Sequence, residues 1–404
     1  MDKAKLKELL GDRKDISGIN ELMKDIKKGI IELLYDEELK EHLGFSKSEN
    51  KAGGRENYRN GSYSKKVKSQ DGIIELEVPR DRNGEYEPLV IPKYKSDIFG
   101  IEDKIIGLYG LGMSTRDISE HIKEIYDFEI SESTVSNVTN RVLCEAKEWQ
   151  SRALKEKYAV CFLDGVVYKV KKEGIVQKVT AYTVIGIDME GYKEVLGIYL
   201  GGVESSKYWL SVLNELKTRG VKEIVIFCTD NLTGLDEAIK STYKGADHQK
   251  CIVHQIRNSV KHVSWKDRKE VCEDMKKIYR APNVDLAFDN LEDFCVKWDK
   301  KYSYIGKSWR ANWCYLTTFW SYPPEIRKMI YTTNPIEGFN RQMRKVTKTK
   351  SSFPSEDALL KNLYLCIRNV EKKYLTKIRD WGIIYSQFLI MEQEKKNKVI
   401  ENEQ

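Results

Sequence analysis

The chain has 404 residues, with 69 lysines and arginines against 62 aspartates and glutamates, a net charge of +7. That length holds roughly two to four domains, with a buried core in at least one. Its eight cysteines are scattered and include no CxxC pair, which excludes a secreted-type disulfide framework. No apolar stretch is long enough to cross a bilayer, and MDKAKLKELLGDRKD is charged from its second residue, so no signal peptide and no membrane partner are expected. A reducing cytoplasm is the expected compartment.

Residues 1–45 include INELMKDIKKGIIELLYDEELKEHLGF, with apolar residues at three- and four-residue spacing. They read as an amphipathic helical segment. Residues 46–97 change character. SENKAGGRENYRNGSYSKKVKSQDG is rich in Gly, Asn and basic residues, and IIELEVPRDRNGEYEPLV follows with strand alternation and a turn at RNGE. The expectation is a small β element joined to a flexible basic arm. On that arm Arg59, Lys65, Lys66 and Lys68 are candidates to contact phosphates, with tyrosines such as Tyr63 available to stack.

Residues 98–150 are helical again. Ser114 or Thr115 suits the cap of one helix and Ser131 the cap of a second, with a tight turn between them. The second helix carries Ser, Thr and Asn on one face, the grammar of a helix-turn-helix. Ser133, Thr134, Ser136, Asn137 and Asn140 are the residues placed to enter a major groove. An ordinary helical hairpin is the plain alternative.

From residue 155 to 254 the pattern turns to strands. YAVCFLDGVVYKV, QKVTAYTVIGIDM and KEVLGIYLGG read as three consecutive strands, SKYWLSVLNELKTRG as a helix, EIVIFCTD as a buried fourth strand and GLDEAIKSTY as a further helix. That order predicts an α/β fold with a ribonuclease H-like catalytic core. Residues 255–330 read as an all-helical insertion rich in Trp and Tyr. Residues 331–404 return to the core with TTNPIEGFNRQMRKVTK, a basic helix, and then C-terminal helices whose last residues, EQEKKNKVIENEQ, are expected to fray.

Three acidic residues stand out. Asp164 lies in the first strand, Asp230 ends the fourth, and Glu337 begins the basic helix. Two carboxylates at strand positions and one on a helix can meet at one sheet edge and hold two divalent cations. Mg²⁺ fits such hard oxygen ligands, with Mn²⁺ able to substitute. A two-cation site supports in-line attack on a phosphodiester. Asp188, Asp236 and Glu204 are less suitably placed. Asn334 suits the cap of the Glu337 helix and Pro335 its first turn. Arg341, Arg344, Lys345 and Lys348 follow, where they can clamp phosphates. Cys251 and His254 form a Cys-x-x-His pair. Structural zinc usually takes four ligands, so His254 is expected instead to have a structural role or to act beside the acidic site, for example by a hydrogen bond near the scissile phosphate. Together with the basic clusters around Tyr58–Lys68 and Arg341–Lys350, these residues point to a polyanionic partner, nucleic acid.

The segments FLDGVVYKV, KYWLSVLNELKTRGVKEI, FCTDNLTGLDEAI, QKCIVHQIRN and YTTNPIEGFNRQMRKVTKTKSSFPSEDALLKNLYL resemble the Mutator-type transposases of bacterial insertion sequences. The match runs from about Tyr58 to Val370, with the blocks in order and at the expected spacing. The resemblance implies an Asp-Asp-Glu triad at Asp164, Asp230 and Glu337, and a helical insertion between the second Asp and the Glu. It also implies binding of terminal inverted repeats and target DNA, metal-dependent strand cleavage and strand transfer, and a dimer or larger assembly. This chain departs from the family pattern after the second Asp, where Asn231 and Thr233 replace more usual residues and the Gly234–Leu235 pair is kept. A ribonuclease H-like nuclease such as a resolvase, or a domesticated non-catalytic DNA-binding protein, are the alternatives.

Overall fold

The computed structural model describes residues 15–46, 57–69, 72–94, 100–126, 129–201, 204–331, 334–348 and 350–403. The chain divides into two units, Met1–Arg141 and Val142–Gln404.

In the first unit, helix α1 (Ile16–Leu43) is capped by Asp15, whose carboxylate accepts from Gly18 N at 2.8 Å, and it stops at Gly44, where φ is +76°. Strands β1 (Arg59–Ser69) and β2 (Gly72–Asp81) form an antiparallel hairpin with Lys66 opposite Glu75. The alternation of β2 sends Ile74, Leu76 and Val78 inward, onto Tyr35 of α1 and Ile91. The basic residues expected on a flexible arm are therefore in a paired strand, and the part of that segment at 47–56 lies outside the described residues. The strand was hidden because RNGSYSKKVKS offers few apolar residues to alternate, and only Val67 and Ser69 of β1 are buried. Three helices follow, α2 (Ile101–Gly110), α3 (Thr115–Tyr126) and α4 (Glu132–Ser151). Ser114 caps α3, its hydroxyl accepting from Asp117 N at 3.1 Å, and Ser131 caps α4, accepting from Thr134 N at 3.1 Å.

The last turns of α4 belong to the second unit. Trp149 meets Tyr364 at 5.7 Å between ring centroids, and the Gln150 side-chain Oε1 accepts from Ile198 N at 3.0 Å.

The second unit is a mixed α/β structure. Strands β3 (Lys157–Lys172), β4 (Ile175–Asp188) and β5 (Lys193–Gly201) are antiparallel. Helix α5 (Ser206–Thr218) leads to β6 (Glu223–Thr229), and helix α6 (Leu235–Thr242) to β7 (Asp247–Lys250). The sheet order is β5-β4-β3-β6-β7, with β6 and β7 parallel to β3. Successive residues of β3 face opposite sides. Cys161 and Leu163 pack toward α5 and α6, with Trp209 and Leu213, whereas Val160 and Phe162 face the later helices.

Helices α7 (Ile252–Val260), α8 (Trp265–Tyr279), α9 (Val284–Ala311), α10 (Trp313–Leu316) and α11 (Pro324–Ile330) follow. Trp298 and Trp309 are buried among them, while Trp265 is 83% exposed. Helix α12 (Asn334–Thr347) carries Glu337. Helix α13 (Glu356–Glu371) starts at Ser355, whose hydroxyl accepts from Ala358 N at 3.1 Å. Helix α14 (Trp381–Glu403) continues through the segment expected to fray.

Candidate active site

Strand register brings the two aspartates together. Leu163 of β3 pairs with Thr229 of the parallel strand β6, so the next residues, Asp164 and Asp230, are neighbours at the carboxyl end of β6. Adjacent strands lie about 4.8 Å apart. Asp164 is only 8% exposed, and its Oδ1 accepts from Gly165 N at 2.7 Å. Burial, together with the Asp230 carboxylate, pushes the Asp164 carboxyl well above its ordinary value.

Glu337 arrives from far along the chain, and packing places it. Ile336, Phe339 and Met343 of α12 are buried in the core shared with β3. Just beyond the helix, Phe353 is clamped to β3 by two backbone hydrogen bonds of 2.8 Å, Lys171 N to Phe353 O and Phe353 N to Lys169 O. With that side pinned, Asn340 Nδ2 donates to Asp164 Oδ2 at 2.5 Å.

Two side chains of α7 link the remaining acids. His254 Nδ1 contacts Asp230 Oδ1, and its Nε2 lies 3.9 Å from Glu337 Oε1. Arg257 donates to the same Glu337 oxygen at 2.7 Å and lies 3.2 Å from His254 Nε2. The contacts to Asp230 and then to the Cys251 thiol raise the His254 imidazole to about 10, so it carries a proton at neutral pH. Asp164, Asp230 and Glu337 thus converge, and His254 and Arg257 offset their charge.

The loop after Asp230 is held from several sides. Lys250, 4% exposed, donates to Asn231 Oδ1 and Asp236 Oδ2, each at 2.8 Å, and to Asn312 Oδ1 at 2.9 Å. Its ammonium also lies 4.6 Å from the Tyr315 ring centroid. Although burial opposes it, hydrogen bonds from His248 and Lys250 hold the Asp236 carboxyl below its ordinary value. Thr233 N donates to Glu204 at 3.2 Å, and Trp209 Nε1 to Thr233 O at 3.1 Å. Gly234 has φ +77°, and a side chain there would collide with the Ser206 backbone. The departures at Asn231 and Thr233 therefore sit in a loop whose anchors are complete.

The competing acids are occupied elsewhere. Asp188 pairs with Lys155 at 2.6 Å, Asp236 with Lys250, and Glu204 accepts from Tyr182 OH at 2.9 Å. Ligand atoms of Asp230, Cys251 and His254 lie within 4.8 Å of one another. No fourth His or Cys joins them among the described residues. His248 turns to Asp236 at 3.1 Å, and His262 faces Tyr304.

The expected DNA contacts divide into exposed and engaged residues. Arg341, Arg344 and Lys345 are exposed, on the side of α12 away from Ile336, Phe339 and Met343, and Lys348 is exposed just past the helix end. Ser133, Thr134, Asn137 and Asn140 are exposed on α4, and Ser136 is half-buried. In the hairpin, Lys66 is exposed, but Arg59 is bound to Asp36 at 2.8 Å and Lys65 donates to Pro92 O at 2.7 Å. The Tyr63 ring lies under Arg80, with 5.9 Å to the guanidinium carbon. The sequence places Asn340 on a turn next to Glu337 but assigns it no role, and it does not single out Arg257 or Lys250. Only the Cys-x-x-His spacing had pointed to this neighbourhood.

An acidic cluster at a mixed-sheet edge, beside an exposed basic helix face, has the form of a site that handles polyanions. Residues 2–377 match the family profile described as Transposase, Mutator family, and the chain belongs to that family. It is 36% identical over 394 residues to a probable transposase for an ISRM3-like insertion sequence element from Sinorhizobium fredii, covering 97% of this chain and 98% of the relative. A transposase for the element ISRM3 from Rhizobium meliloti matches with the same identity and coverage. The transposase for IS1201 from Lactobacillus helveticus is 33% identical over 342 residues, covering 84% of this chain and 92% of the relative. A solved Mos1 mariner paired end complex with Mn aligns with 51% of this chain and 79% of its own, at 12% identity and a TM-score of 0.13. Among the described residues, no helix is long and apolar enough to cross a membrane.

Proposed function

We propose that this transposase cuts and joins double-stranded DNA at the acidic cluster, with Asp164, Asp230 and Glu337 as the ligands of two divalent cations, Mg²⁺ or in its place Mn²⁺. The reading rests above all on the strand register that makes Asp164 and Asp230 neighbours. The donor set suits the ions. Three carboxylates offer hard oxygens, and a buried Asp164 beside Asp230 is a site where added positive charge is favoured. When bound, such ions lower the pKa of an attacking water or 3′-hydroxyl and stabilise the leaving oxygen.

The chain's own groups do the rest. His254 orients Asp230, and Arg257 holds Glu337. The exposed basic face of α12 binds phosphates on either side of the scissile bond, and α3 and α4 read the element's terminal inverted repeats. The sheet order β5-β4-β3-β6-β7 supports a ribonuclease H-like core, with α7–α11 as a helical insertion between Asp230 and Glu337. Two copies or more act together, because two element ends must be joined to one target.

The test is cleavage of a duplex carrying an element end. Asp164→Asn and Glu337→Gln should each reduce strand cleavage by at least ~10³-fold, about 4 kcal/mol of transition-state stabilisation. Both variants should keep near-normal affinity for the ends. Parent-level cleavage by either one would refute the assignment.

A further inference from the structure

Asn340 is almost completely buried, at 2% exposure, inside the apolar contact between α12 and β3. An amide there needs partners for both ends. Its nitrogen has one, Asp164 Oδ2 at 2.5 Å, but its Oδ1 is buried with no hydrogen-bond partner among the described residues. An apolar residue would fit this helix face better than an amide satisfied at one end only. The bond to Asp164 is what the amide contributes.

That bond fixes a catalytic geometry. Gly165 N holds one Asp164 oxygen and Asn340 the other, so the carboxylate rotation is set before any ligand arrives. Asn340 also lies three residues after Glu337, on the same side of α12. One buried hydrogen bond therefore ties the helix that carries the third acid to the strand that carries the first.

We infer that Asn340 is a positioning residue for the cation site, fixing the Asp164 carboxylate and the distance from Asp164 to Glu337. This rests on the triad reading above. Groups that orient metal ligands change metal affinity by about 10–100-fold when removed.

The experiment is Mn²⁺ titration of the full-length, metal-stripped protein without DNA, following the electron paramagnetic resonance signal of free Mn²⁺, together with thermal melting of the metal-free protein. The variants are Asn340→Leu, Asn340→Ala and, as a control, Asp164→Asn. Leucine keeps the branching and heavy-atom count of the amide and removes the orphaned carbonyl, but its methyl groups are bulkier and it withdraws the donor from Asp164, so the variant should fold with a metal-free melting temperature lowered by several degrees at most. Mn²⁺ should nevertheless bind about 10–100-fold more weakly. An unchanged Mn²⁺ affinity in folded Asn340→Leu, whatever its melting temperature, would overturn the inference. The alanine variant is judged by the same criterion if the leucine variant does not fold. If Asp164→Asn binds Mn²⁺ as the parent does, the triad reading itself fails. If only the Asp164 variant loses binding, the triad stands and Asn340 is a packing residue.

Discussion

The acidic cluster and the exposed face of α4 use polar side chains in opposite ways. At the sheet edge, Asp164, Asp230 and Glu337 are each held by a named partner, Asn340, His254 and Arg257. On α4, Asn137 is exposed, and Ser133 and Thr134 are exposed while bonded to Ser131 at the helix start. Chemistry on a phosphodiester requires groups placed before the substrate arrives. Reading base edges requires donors and acceptors that still face outward. The first region is therefore expected to respond to mutation through stability and rate, and the second through discrimination.

The strongest challenge to this contrast is Lys250→Met. It removes the ammonium that Asn231, Asp236 and Asn312 share, and it leaves Asp236 with less compensation. A loss of about 3 kcal/mol in unfolding free energy is expected, read by denaturant titration. Cleavage should fall as well, since Asn231 adjoins Asp230. A variant with parent stability would show that the loop is held without the lysine.

Asn137→Ala is the matching test on α4. It should reduce the preference for element ends over random duplex by about 1–3 kcal/mol and leave melting unchanged, since the side chain is exposed. Competition binding at fixed salt measures the first quantity. A uniform loss of affinity for all DNA would make Asn137 a phosphate contact instead.

A smaller effect concerns pH. The His254 imidazole is raised from its ordinary 6.5 to about 10, chiefly by Asp230. Its stabilising contribution is thus fully present below pH 6.5 and is lost as pH rises through about 10. Melting of metal-free parent and His254→Asn across that range should show a fall in the parent that is reduced in the variant. Parallel curves would remove His254 from the acidic network.

The parts of this site legible in the sequence are those with a local signature. Asp164 and Asp230 sit in apolar runs of strand length, and Ser114 and Ser131 precede helices at capping distance. Glu337 opens a helix whose buried positions, Ile336, Phe339 and Met343, repeat at helical spacing. The rest is not local. Asn340 meets Asp164 across 176 positions, and Arg257 meets Glu337 across 80. Strand β7, Asp247–Lys250, is four residues long and polar, so neither length nor alternation marks it. Its burial comes from the helices that follow it, where Leu316 O accepts from the Gln249 side chain and Phe319 N donates to it. The hairpin strand β1 was missed for a related reason, because its order comes from pairing with β2 rather than from its own apolar residues.

The central claim is that the three carboxylates hold the cations of the reaction, and a change of metal preference tests it most directly. Replacing Asp164 or Glu337 with cysteine exchanges a hard oxygen for a softer thiolate, which favours Mn²⁺ over Mg²⁺. Cleavage of a duplex bearing an element end should then be lost in Mg²⁺ and partly restored in Mn²⁺, while the parent works in both. Equal cleavage by parent and cysteine variants in Mg²⁺ would contradict the account.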